Sequence, residues 1–279
     1  MYVAVLGCGP AGLMAAHGTL MAAEAHNTEL NLAVFSRKQK SPLYGAQYLH
    51  KPIPGMTVGA PRTINYTRKG TTDNYRRKVY GQMWDGTVSP EDLAVPHAGW
   101  NIRDTYEALW ERYEPAINNV HLDPVAIGGI LEGQSDIVIN TIPRNMLCHH
   151  GHHFGAVEVI AAGDAPGLGI DIGKQYRCPD ETVICNGEES PSWYRLSRIF
   201  GHTTVEWPKM DRIPPVGSAS VVQKPLHHDC DCWPELVHAG RYGSWQKGVL
   251  SHEAFDKAYD VTADWINGGG RGAAEEETA

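Results

Sequence analysis

Three glycines near the start of the chain, Gly7, Gly9 and Gly12, have the G-x-G-x-x-G spacing of a loop that binds dinucleotide phosphates. In such a loop the first glycine makes a tight turn, the second lets the backbone approach the pyrophosphate, and the third allows close packing of helix on strand. The pyrophosphate then lies against unpaired N–H groups at the N-terminus of the following helix. The spacing therefore predicts a dinucleotide site.

The segments on either side of the glycines fit a strand–loop–helix unit. Tyr2 to Leu6 is a short apolar run, typical of a strand buried on both faces. Leu13 to Ala25 is rich in Ala, Leu and Met, which favours a helix. Asn31 to Ser36 then predicts the second strand of the same unit. The glycines thus have the context that a dinucleotide-binding loop requires.

The residues that end the second predicted strand bear on the choice of cofactor. Dinucleotide-binding units commonly have an acidic residue there, which binds the ribose. This chain has Ser36, Arg37 and Lys38 instead. Two cations suit a ribose 2′-phosphate, which makes NADP(H) one candidate cofactor. The other candidate is FAD, with Ser36 and Arg37 holding its adenosine part by different contacts.

The glycine loop also resembles a known superfamily. The opening of FAD-dependent oxidoreductases with the glutathione-reductase type of fold is similar to the string Gly7-Cys8-Gly9-Pro10-Ala11-Gly12-Leu13, with Ala16 after it. Pro10 and Ala11 are typical of the FAD enzymes in that superfamily, so the resemblance favours FAD. It implies an α/β fold, in which a Rossmann-like FAD-binding domain with a parallel central sheet carries an inserted, mostly antiparallel β substrate domain.

Two later stretches extend this resemblance. Val120 to Pro143 resembles the late strands of the FAD domain, with Thr141 and Pro143 beside the cofactor. Ala239 to Trp245, followed by a helix from His252 to about Trp265, is similar to a segment of UDP-galactopyranose mutase and its amine-oxidase-like relatives. In those proteins the segment closes over the ribityl chain of FAD. The resemblance implies further cofactor contacts from Gly240, Arg241 and Trp245.

Two parts of the chain offer candidates for contact with the flavin ring and the substrate. In the resembling flavoproteins the loop that corresponds to Ser41–Gly55 passes beside the flavin ring, which implies contacts from Gly45, Ala46 and Gln47. His50 in the same loop is a candidate general acid or base, and a structural loop histidine is the alternative. Arg195, with aromatic residues before it, is a candidate anchor for a substrate carboxylate or phosphate. An arginine that faces outward from a strand edge is the alternative there.

The histidine-rich segment Cys148 to Phe154 raises the question of a metal, because four histidines and a thiol can ligate zinc. Adjacent histidines on one loop rarely converge on one ion, however. The remaining cysteines lack standard ligand spacing, which applies to Cys178 with Cys185 and to Cys230 with Cys232. The sequence therefore predicts no metal site, and it predicts free thiols and structural loop histidines.

A basic segment after the first 56 residues predicts a β-hairpin. Arg62 to Arg68 and Asn74 to Tyr80 are β-like runs around Lys69-Gly70, which predicts a hairpin. Its basic and aromatic residues could bind a nucleotide-like substrate or DNA, and a solvated strand face is the alternative.

The predicted domains are an FAD-binding domain from 1–56, 101–156 and 233–268, a cap hairpin region at 57–100, an antiparallel β substrate domain at 157–232 and a disordered tail at 269–279.

Length and charge set outer limits on function. A chain of 279 residues can hold one large or two small domains. The formal net charge of −8 argues against unspecific nucleic-acid binding by the whole molecule. No apolar run is long enough to span a bilayer, and the N-terminus lacks the pattern of a secretory signal. The sequence therefore predicts a cytoplasmic protein.

Together these features predict an FAD-dependent enzyme, although a fold does not fix a reaction. The leading prediction is an oxidoreductase acting on an amine or another polar small substrate, with His50 and Arg195 as catalytic residues. The alternative is a flavin enzyme without net redox turnover, such as a mutase or a lyase. The chain also resembles FAD proteins of bacteriophages, some of which tailor modified thymines in DNA. A non-catalytic FAD- or NADP-binding module is the third possibility.

Overall fold

A computed structural model describes residues 1–44, 47–81, 88, 93–133, 135–148, 150–163, 176–209 and 218–268. The predicted contact residues Gly45 and Ala46 and the predicted tail at 269–279 lie outside these ranges. Within them, no helix combines the length and the apolar character that crossing a membrane requires. The fold consists of two sheets with helices packed on them, as the predicted fold class requires.

The element bounds are as follows. The strands are β1 (Tyr2–Leu6), β2 (Asn31–Ser36), β3 (Arg62–Gly70), β4 (His97–Gly99), β5 (Ile117–Asn119), β6 (Ile137–Asn140), β7 (Phe154–Gly163), β8 (Thr182–Gly187), β9 (Arg195–Ile199), β10 (His202–Pro208), β11 (Ser218–His228) and β12 (Leu236–His238). The helices are α1 (Pro10–Ala25), α2 (Thr72–Tyr80), α3 (Ile102–Tyr113), α4 (Pro124–Glu132), α5 (Gly240–Gly243) and α6 (Glu253–Asn267). Short 3₁₀ turns are Glu114–Ala116 and Arg144–Met146.

The first sheet has five parallel strands in the order β12-β6-β1-β2-β5. Its central strand β1 is apolar throughout because both of its faces are covered. Val3 and Val5 pack in a core with α1, α3 and α6, whereas Ala4 and Leu6 pack on the other face with α4. This unit is the Rossmann-like part of the predicted fold.

The second sheet has seven strands in the order β11-β7-β10-β9-β8-β3-β4. Its pairs are antiparallel except for β3 with β8, which is parallel. Segments predicted as two separate regions, 57–100 and 157–232, therefore contribute to one sheet. The sequence boundaries of the domains remain a proposal, but the mostly antiparallel character of the inserted sheet follows the prediction.

The prediction of a hairpin within 57–100 was wrong for the second strand. Residues 62–70 form β3, but 72–80 form α2. Thr71 caps this helix, since its hydroxyl accepts a hydrogen bond from the Asn74 N–H at 3.2 Å. Tyr75 and Val79, four residues apart, are its buried positions, and this spacing is helical. Arg195, the candidate anchor, is the first residue of strand β9.

Candidate active site

The order of the parallel strands creates a crevice at their carboxyl ends. From β1 the chain moves outward through β2 to β5 and then returns to place β6 on the opposite side of β1. Such a reversal is a topological switch point, where open α/β sheets bind their ligands. The loops that follow β1 and β6 begin with Gly7 and Thr141, and they border this crevice.

Gly7 and Gly12 hold the first loop tightly in place. Gly7 has a φ of +106°, which L side chains rarely adopt, and a Cβ there would lie 2.7 Å from Oγ1 of Thr141. A Cβ on Gly12 would lie 2.0 Å from the carbonyl oxygen of Gly7. Thr141 in turn donates from Oγ1 to the Leu6 carbonyl at 2.7 Å. This geometry supplies the tight turn and the close packing that a dinucleotide loop requires.

The N-terminus of α1 provides donors at this crevice. Gly9 is the N-cap residue and Pro10 begins the helix, which has no side-chain cap and no acidic residue in its first turn. The backbone N–H groups of that turn can therefore donate to an anion, which the helix dipole also favours. Among the described residues, a Cβ on Gly9 would meet the side chain of Ser41, at 3.2 Å. The backbone is consequently approachable at the position where the motif expects the pyrophosphate.

A third loop, between β12 and α5, closes on the same glycine loop. A Cβ on Gly240 would lie 2.7 Å from Cβ of Ala11, and one on Gly243 would lie 2.3 Å from the Asn140 carbonyl. Arg241 lies between these two contacts. Its Nε is buried and has no hydrogen-bond partner among the described residues. A ligand oxygen would satisfy this orphaned donor, so the cradle fits an anionic group.

The residues after β2 form the opposite end of the crevice. The Arg37 guanidinium donates from Nη2 to Nδ1 of His121 at 2.9 Å. The Lys38 backbone N–H donates to Oδ1 of Asn119 at 3.2 Å, and its side chain pairs with Glu114. Because the Lys38 side chain already pairs with Glu114, it is less suited to bind the 2′-phosphate of NADP(H).

The other predicted contact residues have different surroundings. Pro143 precedes the 3₁₀ turn Arg144–Met146 and follows the loop of Thr141. Gln47 is exposed and donates from Nε2 to the Tyr44 carbonyl at 2.7 Å. Trp245 is 1% exposed, donates from its indole to the Gly155 carbonyl at 3.2 Å and packs edge-on against Phe154. Its position makes Trp245 a packing residue, in place of the predicted contact with a cofactor.

Three histidines from distant parts of the chain meet where the two sheets adjoin. The ring centroid of His50 lies 5.6 Å from that of His97 and 6.2 Å from that of His252. His97 begins β4 of the second sheet, whereas His252 directly precedes α6 of the first unit. Burial, and then the two neighbouring histidines, lower the pKa of His50. His50 is therefore neutral at pH 7 and can accept a proton. Nδ1 of His252 is buried without a hydrogen-bond partner in the described structure.

Two tyrosines, Tyr48 beside His50 and Tyr66 in β3, extend this histidine cluster, and we call them the tyrosine pair. The Tyr48 ring lies 4.5 Å from the ring of His50, and its hydroxyl is 3.2 Å from the Tyr66 hydroxyl. Burial raises the pKa of both tyrosines, and the charge of Arg195 partly offsets this rise. Both hydroxyls therefore remain protonated and within the electrostatic reach of the Arg195 guanidinium.

Arg195 belongs to a buried charge network, so the outward-facing alternative is excluded. Its Nη1 lies 3.5 Å from Oε1 of Glu206, and its Nη2 donates to the Tyr75 hydroxyl at 3.1 Å. Lys224 donates to the Tyr194 hydroxyl at 2.7 Å and also pairs with Glu206. Burial raises the pKa of Glu206, but Arg195 and Lys224 outweigh it and lower this pKa to about 2.

The network carries a surplus positive charge at neutral pH. Burial lowers the pKa of Lys224 to about 8, against the opposing effect of Glu206, so Lys224 remains largely protonated at pH 7. Arg195 is also protonated, and Glu206 is 2% exposed and ionised. Two cations thus face one carboxylate within this network.

A cavity of about 440 Å³ lies elsewhere, between α4 and the first sheet. Tyr2, Phe35 and Ile130 are among the residues that line it. None of its lining residues belongs to the predicted site, and the polar groups described above do not contribute to it. The candidate residues described above therefore lie outside this cavity.

Several residues of the site were missed by sequence reasoning. They are Tyr48, Tyr66, His97, Glu206, Lys224 and His252. No short motif links them, because they come from segments far apart in the chain. One signal was present, namely twelve tyrosines against four phenylalanines, which indicates aromatic residues with a polar end.

Comparisons with known proteins identify the fold. No protein-family model and no curated protein sequence matches this chain. The chain is similar in structure to 2,6-dihydroxypyridine-3-hydroxylase from Arthrobacter nicotinovorans, with a TM-score of 0.51, 10% identity, and coverage of 95% of this chain and 84% of that one. It is also similar to CtdE in complex with FAD and a substrate, with a TM-score of 0.50, 10% identity, and coverage of 94% and 80%.

A flavin-dependent halogenase, BrvH from Brevundimonas sp. BAL3, shows the same likeness, with a TM-score of 0.50, 12% identity, and coverage of 95% of this chain and 71% of that one. Identities this low show a common fold and no more. The chain therefore has the fold that these three proteins share, two of which are named with FAD or a flavin, and a fold does not by itself fix a function.

Proposed function

We propose that this chain is an FAD-dependent oxidoreductase whose substrate is a small polar molecule bound between the two sheets. The observation that carries the proposal is the meeting of three loops, after β1, β6 and β12, at the switch point of the first sheet. Tight packing at Gly7 and Gly12, an uncapped helix N-terminus and the orphaned Nε of Arg241 all lie there. CtdE, whose structure contains FAD, and BrvH, a flavin-dependent halogenase, share this fold and support FAD over NADP(H).

The chain's own residues suggest how each part of FAD would be held. The N–H groups at the start of α1 would bind the pyrophosphate, with Arg241 as an additional donor. Ser36 and Arg37 would contact the adenosine part. When bound, FAD supplies the capacity to accept two electrons from a substrate or a reductant and to pass them on.

The buried charge network favours a substrate that carries a negative charge. Arg195 and Lys224 together exceed the charge of Glu206, and this surplus disfavours the ammonium group of an amine substrate. A carboxylate, phosphate or phenolate would be attracted instead. Among the small polar substrates predicted from the sequence, we therefore favour an anionic one over an amine.

His50 is the proposed acid–base residue. Its lowered pKa keeps the imidazole neutral at pH 7, so it can accept a proton from a substrate hydroxyl or carbon acid. The tyrosine pair orients this imidazole through the ring contact with Tyr48. His50 and Arg195 would thus act on one substrate from two sides of the tyrosine pair.

The resemblance to mutases and to DNA-tailoring phage proteins receives less support. The structural neighbours reported above are a hydroxylase, an FAD–substrate complex and a halogenase. The predicted basic hairpin is partly helix α2, and Lys78 of that helix donates to the Pro191 carbonyl at 2.9 Å. Because this lysine binds a backbone carbonyl of the same chain, it adds less to the basic surface that would contact DNA.

Cofactor binding is the first experiment. We expect the purified chain to be yellow and to bind FAD non-covalently. Gly9→Asp should abolish FAD binding because its carboxylate would face the pyrophosphate. Gly128→Asp is the matched control, since the residue lies on α4 and a Cβ there meets no described atom within 4 Å. A native chain that binds NADPH and ignores FAD would refute the proposal.

The second experiment addresses the reaction. The FAD-loaded chain is mixed without oxygen with anionic aromatic and aliphatic acids, amines, UDP-sugars and DNA, each with and without NAD(P)H, while flavin absorbance is recorded. Bleaching that depends on an anionic compound would support the proposal. Bleaching by amines alone would overturn the substrate assignment, and product formation without a net change of redox state would favour the mutase or lyase alternative.

A further inference from the structure

Four potential metal ligands converge at a place remote in sequence from the glycine loop. The ligand atoms of Cys148, His152, Cys230 and Cys232 all lie within 4.8 Å of one another. The first two come from the connection between β6 and β7, and the last two follow β11. The two pairs are about 80 residues apart in sequence, so only the fold brings them together.

The geometry points to a zinc ion held by three thiolates and one imidazole. In a tetrahedral site with Zn–S bonds of about 2.3 Å, two sulfur ligands lie about 3.8 Å apart. The Sγ atoms of Cys148 and Cys232 are 3.8 Å apart. This distance is far longer than the ~2.05 Å of a disulfide bond. We propose that these residues form a structural Cys₃His zinc site.

The ligand set distinguishes zinc from other ions. Thiolates are soft ligands that select zinc over magnesium, calcium or manganese. Four protein ligands complete a tetrahedron and leave no position for water or substrate, which is typical of structural rather than catalytic zinc. Cys230 is buried and the other three residues are half-buried, so a bound ion would be shielded from solvent.

The surroundings of His152 and Cys230 fit this role. Nδ1 of His152 lies 3.7 Å from Asp229, and Nε2 lies 3.7 Å from Asp231. Whichever ring nitrogen binds the ion, the other therefore faces a carboxylate, as is usual for zinc-bound histidines. The Cys230 backbone N–H donates to Nδ1 of His228 at 3.1 Å, and its carbonyl accepts from Arg144 at 2.8 Å.

The proposed site would tie the two units of the molecule together. Cys148 follows the 3₁₀ turn that begins one residue after Pro143, at the border of the crevice. Cys230 and Cys232 belong to the chain that leads from β11 of the second sheet to β12 of the first. Trp233 donates from its indole to the Leu147 carbonyl at 2.8 Å across the same junction. A zinc ion here would fix the relative position of the loops that follow β6 and β11.

This inference replaces the prediction of no metal. That prediction rested on two observations: adjacent histidines on one loop rarely converge on one ion, and the remaining cysteines lack standard ligand spacing. Among the described histidines of that segment, His152 is the one that joins the cluster, and the chain after β11 supplies the second pair. A C-x-C pair is too short for the usual zinc spacing, so the pattern was not recognisable in sequence.

The test uses the full-length chain with and without its cofactor. After growth with added zinc and extensive desalting, elemental analysis should find about one zinc per chain. Cobalt added to metal-free chain should give the visible bands and the thiolate charge-transfer absorption of a tetrahedral site. Cys148→Ser and Cys232→Ser should each lose most of the zinc. Cys178→Ser, a buried thiol outside the cluster, is the matched control and should retain it.

Three results would overturn the proposal. They are a native chain without zinc that gives no thiolate bands with cobalt, a Cys148–Cys232 disulfide in freshly purified protein, and zinc content that is unchanged in both serine variants. If a serine variant fails to fold, the cobalt titration of the native chain still decides the question. Because zinc content is measured independently of flavin binding, failure of this proposal is distinguishable from failure of the proposed function.

Discussion

Replacement of Glu206 by glutamine tests the buried charge network most directly. Glu206 is 2% exposed, and its pKa falls from 4.5 to about 2 in the folded chain. At 1.36 kcal/mol per pKa unit, this difference corresponds to roughly 3 kcal/mol of folding free energy at pH 7. Glu206→Gln also leaves Arg195 and Lys224 buried without their carboxylate. We therefore expect a loss of about 3–5 kcal/mol in the free energy of unfolding at pH 7.

The pH dependence follows from the direction of the shift. A carboxylate with a lowered folded-state pKa stabilises the fold fully above its unfolded value of 4.5, and it loses this effect as the pH falls towards 2. For these two pKa values the contribution decreases by about 1 kcal/mol at pH 4 and by about 2 kcal/mol at pH 3. The difference between the native chain and Glu206→Gln should narrow accordingly.

The assay is urea denaturation of both chains at pH 7, 4 and 3. Glu158→Gln is the matched control because Glu158 lies in β7 of the same sheet and pairs with Lys209, but its side chain is 42% exposed. Exposed pairs contribute about 0–1 kcal/mol, so this variant should unfold almost like the native chain. Equal effects of the two substitutions, or a Glu206→Gln effect that does not change with pH, would refute the reasoning.

Four further predictions concern the site. Gly12→Val should prevent FAD binding, measured by the flavin-to-protein absorbance ratio, because its Cβ would overlap the Gly7 carbonyl, whereas Gly128→Val on α4 should bind normally. His50→Ala should lower kcat by roughly 10²–10⁴-fold with an unchanged flavin spectrum, and a kcat within a few-fold of native would contradict the acid–base role. In the native enzyme the acid limb of the pH–rate profile should lie below pH 6.5, because the pKa of His50 is lowered; a limb above 6.5 would exclude this assignment. KM for an anionic substrate should rise above about pH 8, where Lys224 loses its proton, and a KM that is flat between pH 7 and 9 would argue against a charge-based anchor.

The amino-acid sequence by itself determined the nucleotide-binding unit. Gly7 and Gly12 are local signals, since a tight turn and a close helix–strand contact depend on residues within one short segment. The bounds predicted for β1 and β2 agree with those observed, because short apolar runs are a clear local signal of buried strands. The predicted hairpin was wrong in its second half. That segment is basic and rich in tyrosine, but it contains a Thr cap and two buried residues at helical spacing. Packing against β8 and β10 stabilises it as helix α2.

The tertiary structure alone decided which side chains lie next to Arg195 and to His50. Arg195 was predicted as a candidate anchor, but only the antiparallel pairing of β9 with β10 places Glu206 opposite it, as the register shows. The approach of His50, His97 and His252 likewise needs two sheets and a C-terminal helix to meet. The physical reason is that a pKa, an ion pair or a metal tetrahedron depends on distances of a few ångströms between atoms. Sequence spacing constrains those distances only for residues in the same turn, helix or strand.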